Sequence, residues 1–228
     1  MQEYSPYYDI SFFVDNDNLS KFVYRVELFD NVNYVYPVIV IDLNLNQTSG
    51  IVKKIFERSN SLLKISYTTE NKTPIETYEY DLLITNIKSN MKISNEGNKE
   101  NVVDGMVKLY CCPRIPFMIS STPVNYISPI PFNEKPIDSV KKIISSYFKN
   151  MEINIVEDGI NAYAPEQIFI PLMKFSSGIK YIDNTYSIYN GVMNFNIDFN
   201  RETNSPIFNM FNIGEMMSKK YYPLYNIY

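Results

Sequence analysis

The sequence contains no histidine and no tryptophan among its 228 residues. The lack of histidine removes the commonest general base, the usual partner of a catalytic serine and the commonest metal ligand in proteins. Two serine pairs, Ser120-Ser121 and Ser176-Ser177, therefore have no imidazole to activate them, and no G-x-S-x-G motif is present. These absences argue against a hydrolase that uses a serine nucleophile.

Cysteine and glycine are also scarce, with two and seven residues respectively. Cys111 and Cys112 are adjacent, so in a strand they point to opposite faces and a disulfide between them would be strained. A redox pair normally has two residues between its cysteines. We therefore expect two reduced thiols in a protein made in the cytosol. The sequence has no signal-peptide pattern and no long apolar run, so we expect neither secretion by that route nor a membrane span.

Acidic residues outnumber basic ones, 25 to 21, which gives a formal net charge of −4. The lysines and arginines are scattered, so the sequence lacks the basic stripe of a nucleic-acid reader. The carboxylate pairs are Glu76 with Glu79 and Glu157 with Asp158. A glycosidase needs two carboxylates close together in one cleft. Glu76 and Glu79 fall on opposite faces of a predicted strand, so we interpret them as structural.

Two further groups have both a functional and a structural interpretation. Residues 15–18, Asp-Asn-Asp-Asn, resemble a calcium loop but lack the glycine at the sixth position and the final glutamate, which favours a polar turn. Tyr181, Tyr186 and Tyr189 have the chemistry of a sugar-stacking platform. Tyrosines with this spacing more often lie in a core or an interface.

Alternation of apolar and polar residues predicts a β-rich first domain over residues 1–127. In residues 22–29, Tyr24, Val26 and Leu28 fall on one face, and residues 38–41 form an apolar run typical of a strand buried on both faces. A short helix is predicted over 50–58, with a solvated basic face. Together these elements indicate an antiparallel barrel that is closed or nearly closed. The predicted strands are 10–14, 22–29, 34–45, 62–69, 77–87 and 102–112.

A proline-rich connection, residues 123–136, precedes a small predicted α+β domain over residues 128–200. It begins with a helix over 137–150 and a strand over 153–156. A second helix is predicted to begin at Pro171, with an apolar stripe of Leu172, Phe175, Ile179, Ile182 and Tyr186. Asn190-Gly191 then predicts a tight hairpin that leads into an alternating strand over 192–199.

Residues 201–228 show no clean periodicity, although they contain many apolar residues such as Phe208, Met210 and Leu224. Such a segment is too apolar for a free disordered terminus. Pro206 and Pro223 interrupt both a helix and a strand. We expect this tail to dock on a neighbouring domain or subunit.

Three segments of the sequence resemble the baseplate hub proteins of contractile-tailed phages of the T-even type. They are YPVIVIDLNLNQTSGIVKKIFERSNSLLKISY (36–67), PFNEKPIDSVKKIISSYFKNMEI (131–153) and IFIPLMKFSSGIKYIDNTYSIYNGVMNF (168–195). The first is similar to the strand, helix and strand of the tube-like domain in such hubs. The third carries the same succession of Ile-Pro, amphipathic helix, Tyr-rich turn and strand. Together the segments cover about residues 30–200.

This resemblance implies a fold and a function. The fold would be α+β and mostly antiparallel, with a tail-tube-like β-barrel domain followed by a small α+β domain. The function would be structural. A homo-oligomer, with a trimer favoured, would form a ring in the tail baseplate of the virion, assembled in the host cytoplasm. The ring would join the tail tube protein to the central spike protein. Such hubs have no active site, cofactor or metal, and DNA passes through their channel.

The sequence departs from the family pattern in one respect. Larger hubs carry two tube-like domains in each chain, whereas only one is visible here. The chain is therefore either part of a longer product or a shortened hub. Two other function classes remain as alternatives. The first is a receptor- or carbohydrate-binding module of a virion, and the second is a hydrolase that depends on a carboxylate.

We predict that the assembled protein does not grip DNA. The net charge of −4 and the scattered basic residues give no stripe that would neutralise phosphates. Fluorescence anisotropy with a labelled duplex should show no submicromolar binding at about 150 mM salt. Tight binding with a steep salt dependence would contradict this prediction.

Overall fold

The computed structural model describes residues 7–30, 34–57, 61–68, 74–90, 92–94, 102–129, 134–200 and 203–214. Over these residues the chain is an α+β protein of mostly antiparallel β structure, which confirms the predicted fold class. The chain divides into two compact units. The first comprises Met1–Asp30 and Pro37–Arg114, and the second comprises Asn31–Tyr36 and Ile115–Tyr228. The division falls after Arg114 rather than after residue 127.

A single eight-stranded sheet and one helix make up the described part of the first unit. The elements are β1 (Tyr7–Val14), β2 (Asp17–Asn18), β3 (Val23–Phe29), β4 (Val38–Thr48), α1 (Ser49–Phe56), β5 (Ser61–Thr68), β6 (Pro74–Ser89), β7 (Lys92–Ser94) and β8 (Val102–Pro113). The strand order is β2-β1-β5-β6-β8-β4-β3, and β7 also pairs with β8. All of these pairs are antiparallel. The predicted pairing of 62–69 with 77–87 is confirmed as β5 with β6.

Four residues, 19–22, connect the two ends of this strand order. A flat arrangement of seven strands would separate β2 from β3 by about 29 Å, at about 4.8 Å for each step. The chain from Asn18 to Val23 reaches at most about 18 Å when it is fully extended. Residues Ser20–Phe22 shorten that reach further, because they form a 3₁₀ turn. The sheet must therefore curl, and over the described residues it forms a half-barrel whose end strands β2 and β3 are not paired with each other.

The inner face of the half-barrel carries the core of the first unit. Ile39, Ile41 and Leu43 alternate along β4, and each is fully buried. Leu109 of β8 lies opposite Ile41, and Ile55 of α1 joins the same buried cluster. Each such side chain contributes roughly 1.5–3 kcal/mol when it leaves water. Val40, on the other face of β4, is also buried, so the apolar run at 38–41 is covered on both faces, as its sequence predicts.

The second unit combines three helices with two small sheets. Its elements are α2 (Arg114–Ser121), β9 (Pro123–Ile127), α3 (Pro136–Tyr147), β10 (Glu152–Ile155), β11 (Phe169–Lys174), α4 (Phe175–Tyr186), β12 (Met193–Asn200) and β13 (Ser205–Asn212). One sheet has the order β10-β13-β12, and the other pairs β11 with β9. Strand β10 is parallel to β13, whereas β12 is antiparallel to it. Residues 123–136, predicted to be a connection, thus contain the strand β9.

The predicted start of the second helix at Pro171 is wrong. Strand β11 continues to Lys174, and its register with β9 shifts between Ile170 and Met173. This irregularity accommodates Pro171, which has no N–H to donate to a ladder. Leu172 is consequently 74% exposed instead of lying on the apolar stripe. Helix α4 begins at Phe175 and buries the remainder of that stripe through Phe175, Ile179 and Ile182.

The hairpin predicted at Asn190-Gly191 is also wrong. Strand β12 pairs with β13, which follows it, and Tyr189 forms only an isolated bridge with Ile160. Gly191 has a different role, since a Cβ atom there would lie 2.8 Å from Oδ1 of Asn212. A glycine is therefore needed at this position so that the backbone can approach Asn212. From the sequence alone, a glycine required for such a close approach cannot be distinguished from a glycine required for a tight turn.

The tail prediction is wrong for Ser205–Asn212, which form the middle strand of the three-stranded sheet. Phe208 and Met210 point into the core of the second unit, where the Phe208 ring stacks on Phe195 at a centroid distance of 5.5 Å. Pro206 is tolerated because it lies next to the start of the strand. Residues 215–228 lie outside the described residues.

We predict that Gly191→Ala destabilises the second unit by about 1–3 kcal/mol, the usual cost of overpacking. Asn212 is buried, and its Oδ1 accepts a hydrogen bond from the Gly214 N–H at 3.0 Å, so its side chain cannot easily move away. The measurement is the free energy of unfolding in urea. The control is the same substitution in an Asn212→Ala background, where its cost should fall by more than half. An equal cost in both backgrounds would contradict the steric explanation.

Candidate interaction surface

Strand β3 is an edge of the half-barrel. One side of it pairs with β4, from Val23 opposite Leu43 to Phe29 opposite Val38. No strand of the described residues pairs with its other side. An edge strand presents a row of backbone N–H and C=O groups that can pair with another polypeptide. The edge of β3 is therefore a candidate interaction surface.

A β-bulge at Tyr24 changes which side chains of β3 face the core. Val23 lies opposite Leu43 and Arg25 lies opposite Asp42, so Tyr24 is the extra residue of the bulge. Val23, Val26 and Leu28 pack against the buried cluster, whereas Tyr24 is 73% exposed. The predicted alternation, which placed Tyr24 on the face of Val26, is wrong because the bulge shifts the phase.

The outer face of β3 carries two opposite charges and an aromatic ring. Arg25 and Glu27 form an ion pair along the strand, and Phe29 beyond them is 45% exposed. Asp42 of β4 lies beside Arg25 in the register and is only 7% exposed. Its carboxylate is 3.4 Å from the Lys108 Nζ of β8. Charge balance on this face therefore extends over three neighbouring strands.

Sequence reasoning found this strand but did not find that it is an edge. The strand order depends on contacts between distant segments, which a local pattern does not contain. One signal was present, since charged residues within a strand are a common feature of sheet edges. Arg25 and Glu27 gave that signal.

Two of the carboxylates considered for catalysis, Glu79 and Glu157, lie close to lysine side chains. Glu79 lies in β6 and its carboxylate is 2.7 Å from the Lys64 Nζ. Glu157 is exposed and lies 3.7 Å from the Lys141 Nζ. Asp158 lines a groove of about 450 Å³ together with residues of the α3 N-terminus. Three acidic residues, Asp138, Glu157 and Asp158, line this groove together with Lys135 and Lys141, so lysines accompany its carboxylates.

The two serine pairs, Ser120-Ser121 and Ser176-Ser177, contact each other through a hydrogen bond. The Ser176 hydroxyl donates a hydrogen bond to the Ser120 carbonyl oxygen at 3.1 Å, and Ser120 is buried. This bond ties α4 to the end of α2. The serines thus have a packing role, which agrees with the lack of histidine.

Residues 15–18 form the polar turn that their composition favours. Asp15 and Asn16 have φ angles of 46° and 71°, which is the left-handed geometry of a two-residue hairpin turn between β1 and β2. Asp17 Oδ2 lies 2.6 Å from the Lys54 Nζ. The Asn18 amide oxygen accepts a hydrogen bond from the Ser20 N–H at 2.9 Å. Lys54 of the predicted solvated helix face thus anchors this turn.

The three tyrosines lie in or against the core of the second unit. Tyr189 is buried, and its hydroxyl donates to the Val156 carbonyl oxygen at 2.7 Å. Burial raises the pKa of Tyr189, and the charges of Asp183 and Glu157 add to this effect. The Tyr186 hydroxyl accepts a hydrogen bond from the Phe169 N–H at 3.2 Å, and Tyr181 packs against the core cluster. They do not form an exposed stacking platform.

Cys111 and Cys112 are free and buried, and they point to opposite faces of β8 as predicted. Cys111 belongs to the core of the half-barrel. Burial raises the pKa of the Cys111 thiol to about 12. Burial also raises the pKa of Cys112 to about 11, although the nearby Arg114 charge opposes this shift. Neither thiol forms appreciable thiolate near neutral pH.

Among the described residues, no three acidic, cysteine or histidine side chains are grouped in a way that could hold a metal ion. No helix in the same part of the chain combines the length and the apolar character needed to cross a bilayer.

Comparison with known proteins gives matches to solved structures only. No protein-family model and no curated protein sequence matches the chain. A chain of the Francisella PdpA–VgrG complex is 12% identical, with a TM-score of 0.48, and the match covers 94% of this chain and 33% of that one. An Escherichia coli component of the type VI secretion system is 10% identical, with a TM-score of 0.44 and coverages of 92% and 48%. That protein is described as structurally similar to the bacteriophage T4 tail proteins gp27 and gp5.

A tail protein from Neisseria meningitidis MC58 is 12% identical, with a TM-score of 0.43 and coverages of 88% and 50%. The similar structures are thus a tail protein, a component of the type VI secretion system and a chain of a PdpA–VgrG complex. The chain spans between 33% and 50% of the length of these three proteins.

We predict that both cysteines resist thiol reagents in the folded protein. Burial and the raised pKa values of Cys111 and Cys112 keep the thiols protonated and inaccessible. Reaction with DTNB at pH 8 should label less than about a tenth of a thiol in the native state, and two thiols in guanidinium. A Ser146→Cys variant, at an exposed position of α3, is the reactive control. Rapid labelling of the native chain beyond that control site would show that β8 is not buried as described.

Proposed function

We propose that this chain is a structural subunit of a phage-type tail or baseplate, and that its copies form the hub ring which joins a tail tube to a central spike. The proposal includes the tube protein and the spike protein as partners, a trimer as the favoured oligomer and the virion baseplate as the location. It assigns no catalytic activity to the chain. DNA would pass through the ring without specific binding.

The observation that carries this proposal is the open edge of the half-barrel. A subunit that must join copies of itself needs a surface that its own fold leaves unpaired, and β3 provides one among the described residues. Tyr24 and Phe29 are exposed there, and aromatic residues are enriched in protein interfaces. The resemblance of residues 36–67 to a tube-like domain supports the same proposal, since that segment contains β4, α1 and β5.

The structure does not favour the alternative of a carbohydrate-binding module. Its main motivation was an aromatic platform of tyrosines, and Tyr189 is buried while Tyr181 and Tyr186 pack against the core. Three amides do form a row on the outer face of the β10-β13-β12 sheet. The Asn154 amide donates to Asn209, and the Asn209 amide donates to Asn196, at 3.2 Å and 2.8 Å. These groups satisfy one another, so the row serves the sheet.

We predict that the full chain assembles into trimers in the presence of tube and spike proteins. Native mass spectrometry should show a species of three times the chain mass of 26.7 kDa at roughly 10 µM protein. Tyr24→Asp should reduce this species, because the added charge has to be desolvated in the interface. Val192→Asp, which changes a residue that is also exposed but lies in the second unit, is the matched control. A chain that stays monomeric with both partners present would contradict the proposal.

Removal of residues 215–228 can be tested in the same assembly experiment. The sequence predicts that the apolar tail docks on a neighbouring domain or subunit, and the proposal keeps this prediction for the part beyond β13. Truncation after Gly214 should weaken assembly and leave the melting temperature of the isolated chain unchanged. A truncation after Asn200 is not suitable, because it removes the middle strand of the second unit's sheet.

A further inference from the structure

The edge of β3 has a charge pattern that is complementary to itself. Arg25 and Glu27 lie two residues apart on the same outer face, with Val26 between them facing the core. When a strand pairs with an identical antiparallel strand about a two-fold axis, positions equally distant from the axis lie opposite each other. A strand with a positive charge on one side of its centre and a negative charge on the other side is therefore complementary to its own copy.

We propose that β3 pairs in an antiparallel manner with β3 of a second copy of this chain, with the two-fold axis at Val26. Arg25 then lies opposite Glu27 of the partner subunit, and Glu27 lies opposite Arg25 of the partner subunit. Directly opposed residues in such a pair have Cβ atoms about 4.5–5.5 Å apart, which is within reach of an ion pair. Since Arg25 and Glu27 also pair along each strand, the four charges alternate in sign around a closed ring.

The same register brings the exposed aromatic residues together. Tyr24 and Phe29 lie on opposite sides of Val26 and are 73% and 45% exposed. In the antiparallel pair, Phe29 of one copy reaches the end of β3 that carries Tyr24 in the other copy. Tyr24 then lies opposite Leu28 of the partner subunit, one position from Phe29 of the partner subunit, a separation that aromatic side chains span. The two Phe29–Tyr24 pairs of the dimer thus lie at the two ends of the group of four charges.

A second copy of this chain is favoured over an unrelated strand by the order of the charges. An unrelated strand would need a negative residue opposite Arg25 and a positive residue opposite Glu27. It would also need an apolar residue between the two that faces the core. The chain itself supplies this arrangement at an edge with which no other strand of the described residues pairs. With the axis at Val26, the bulge at Tyr24 limits regular pairing to Arg25–Glu27, which predicts a dimer of modest affinity.

This dimer uses the same edge of β3 as the ring proposed above, so the two assemblies exclude each other at that edge, but the dimer needs no tube or spike protein. A ring joins unlike surfaces of neighbouring copies, whereas this pair joins identical surfaces. A free subunit that uses its edge in this way protects it from pairing with other chains. The two proposals are separated by stoichiometry, because one predicts trimers with partner proteins and the other predicts dimers of the protein alone.

The experiment uses charge reversals in the full-length chain, followed by sedimentation equilibrium over roughly 1–200 µM. The wild type should dimerise within this range. Arg25→Glu places two glutamates opposite each other, and Glu27→Arg places two arginines opposite each other. Because like charges across a strand pair are unfavourable and each reversal acts twice in the dimer, each variant should raise the dissociation constant about 10-fold or more.

A mixture of the two variants provides the decisive test. An Arg25→Glu chain has an acidic edge and a Glu27→Arg chain has a basic edge, so the mixture should form heterodimers at least as tightly as the wild type dimerises. Loss of the intrachain ion pair is the same in the mixture as in the separate variants, which excludes a purely intrachain explanation. Circular dichroism of each variant confirms that it is folded.

Three results would overturn the proposal. The first is a wild type that stays monomeric throughout the concentration range. The second is a dimer that both single reversals leave unchanged, which would place the interface elsewhere. The third is a mixture that does not restore association after the single variants have lost it.

Discussion

The short connection between β2 and β3 is the constraint on which the first unit depends. Because residues 19–22 cannot span a flat sheet, they force the sheet to curl and enclose one of its faces. Several local contacts hold the connection in place. The Leu19 N–H donates to the Phe12 carbonyl at 2.7 Å, and the Phe12 N–H donates to the Ser20 hydroxyl at 3.0 Å. The curl encloses Ile41 and leaves the edge of β3 open.

Those elements whose residues interact with near neighbours in the chain could be predicted from the sequence. Strands β5 and β6 form a hairpin, α3 shows helical spacing and α1 follows β4 directly. Some segments that the sequence misassigned depend on distant partners, such as β11, which pairs with β9. Helix α2 was not predicted because Pro113 and Pro116 suggest an interruption, yet proline in the first turn of a helix lacks only a hydrogen bond that would not form. Strand β13 was missed because Pro206 and the lack of clean alternation argued against a strand, although β13 forms a hairpin with β12, which ends only four residues before it.

The candidate surface was predictable only in part, for the same reason. The sequence indicated a strand at 22–29 and an excess of aromatic residues that interfaces would cover. It did not indicate that β3 lies at the edge, since strand order is set by long-range packing. The bulge at Tyr24 could not be seen either, because a regular alternation and a bulged one have the same composition. Single-residue irregularities of this kind determine which side chains a partner can reach.

The position of β13 in the middle of its sheet has a consequence for the order of folding. Strands β10 and β12 are both synthesised before β13, and each has β13 as its neighbour in the sheet. Glu152 pairs with Ile207 across a long stretch of chain, so the sheet has a high contact order and forms slowly. Until Phe208 arrives, the rings of Phe175 and Phe195 lack the residue that packs between them. A nascent chain that stops before β13 therefore exposes aromatic surface and is a substrate for chaperones or aggregation.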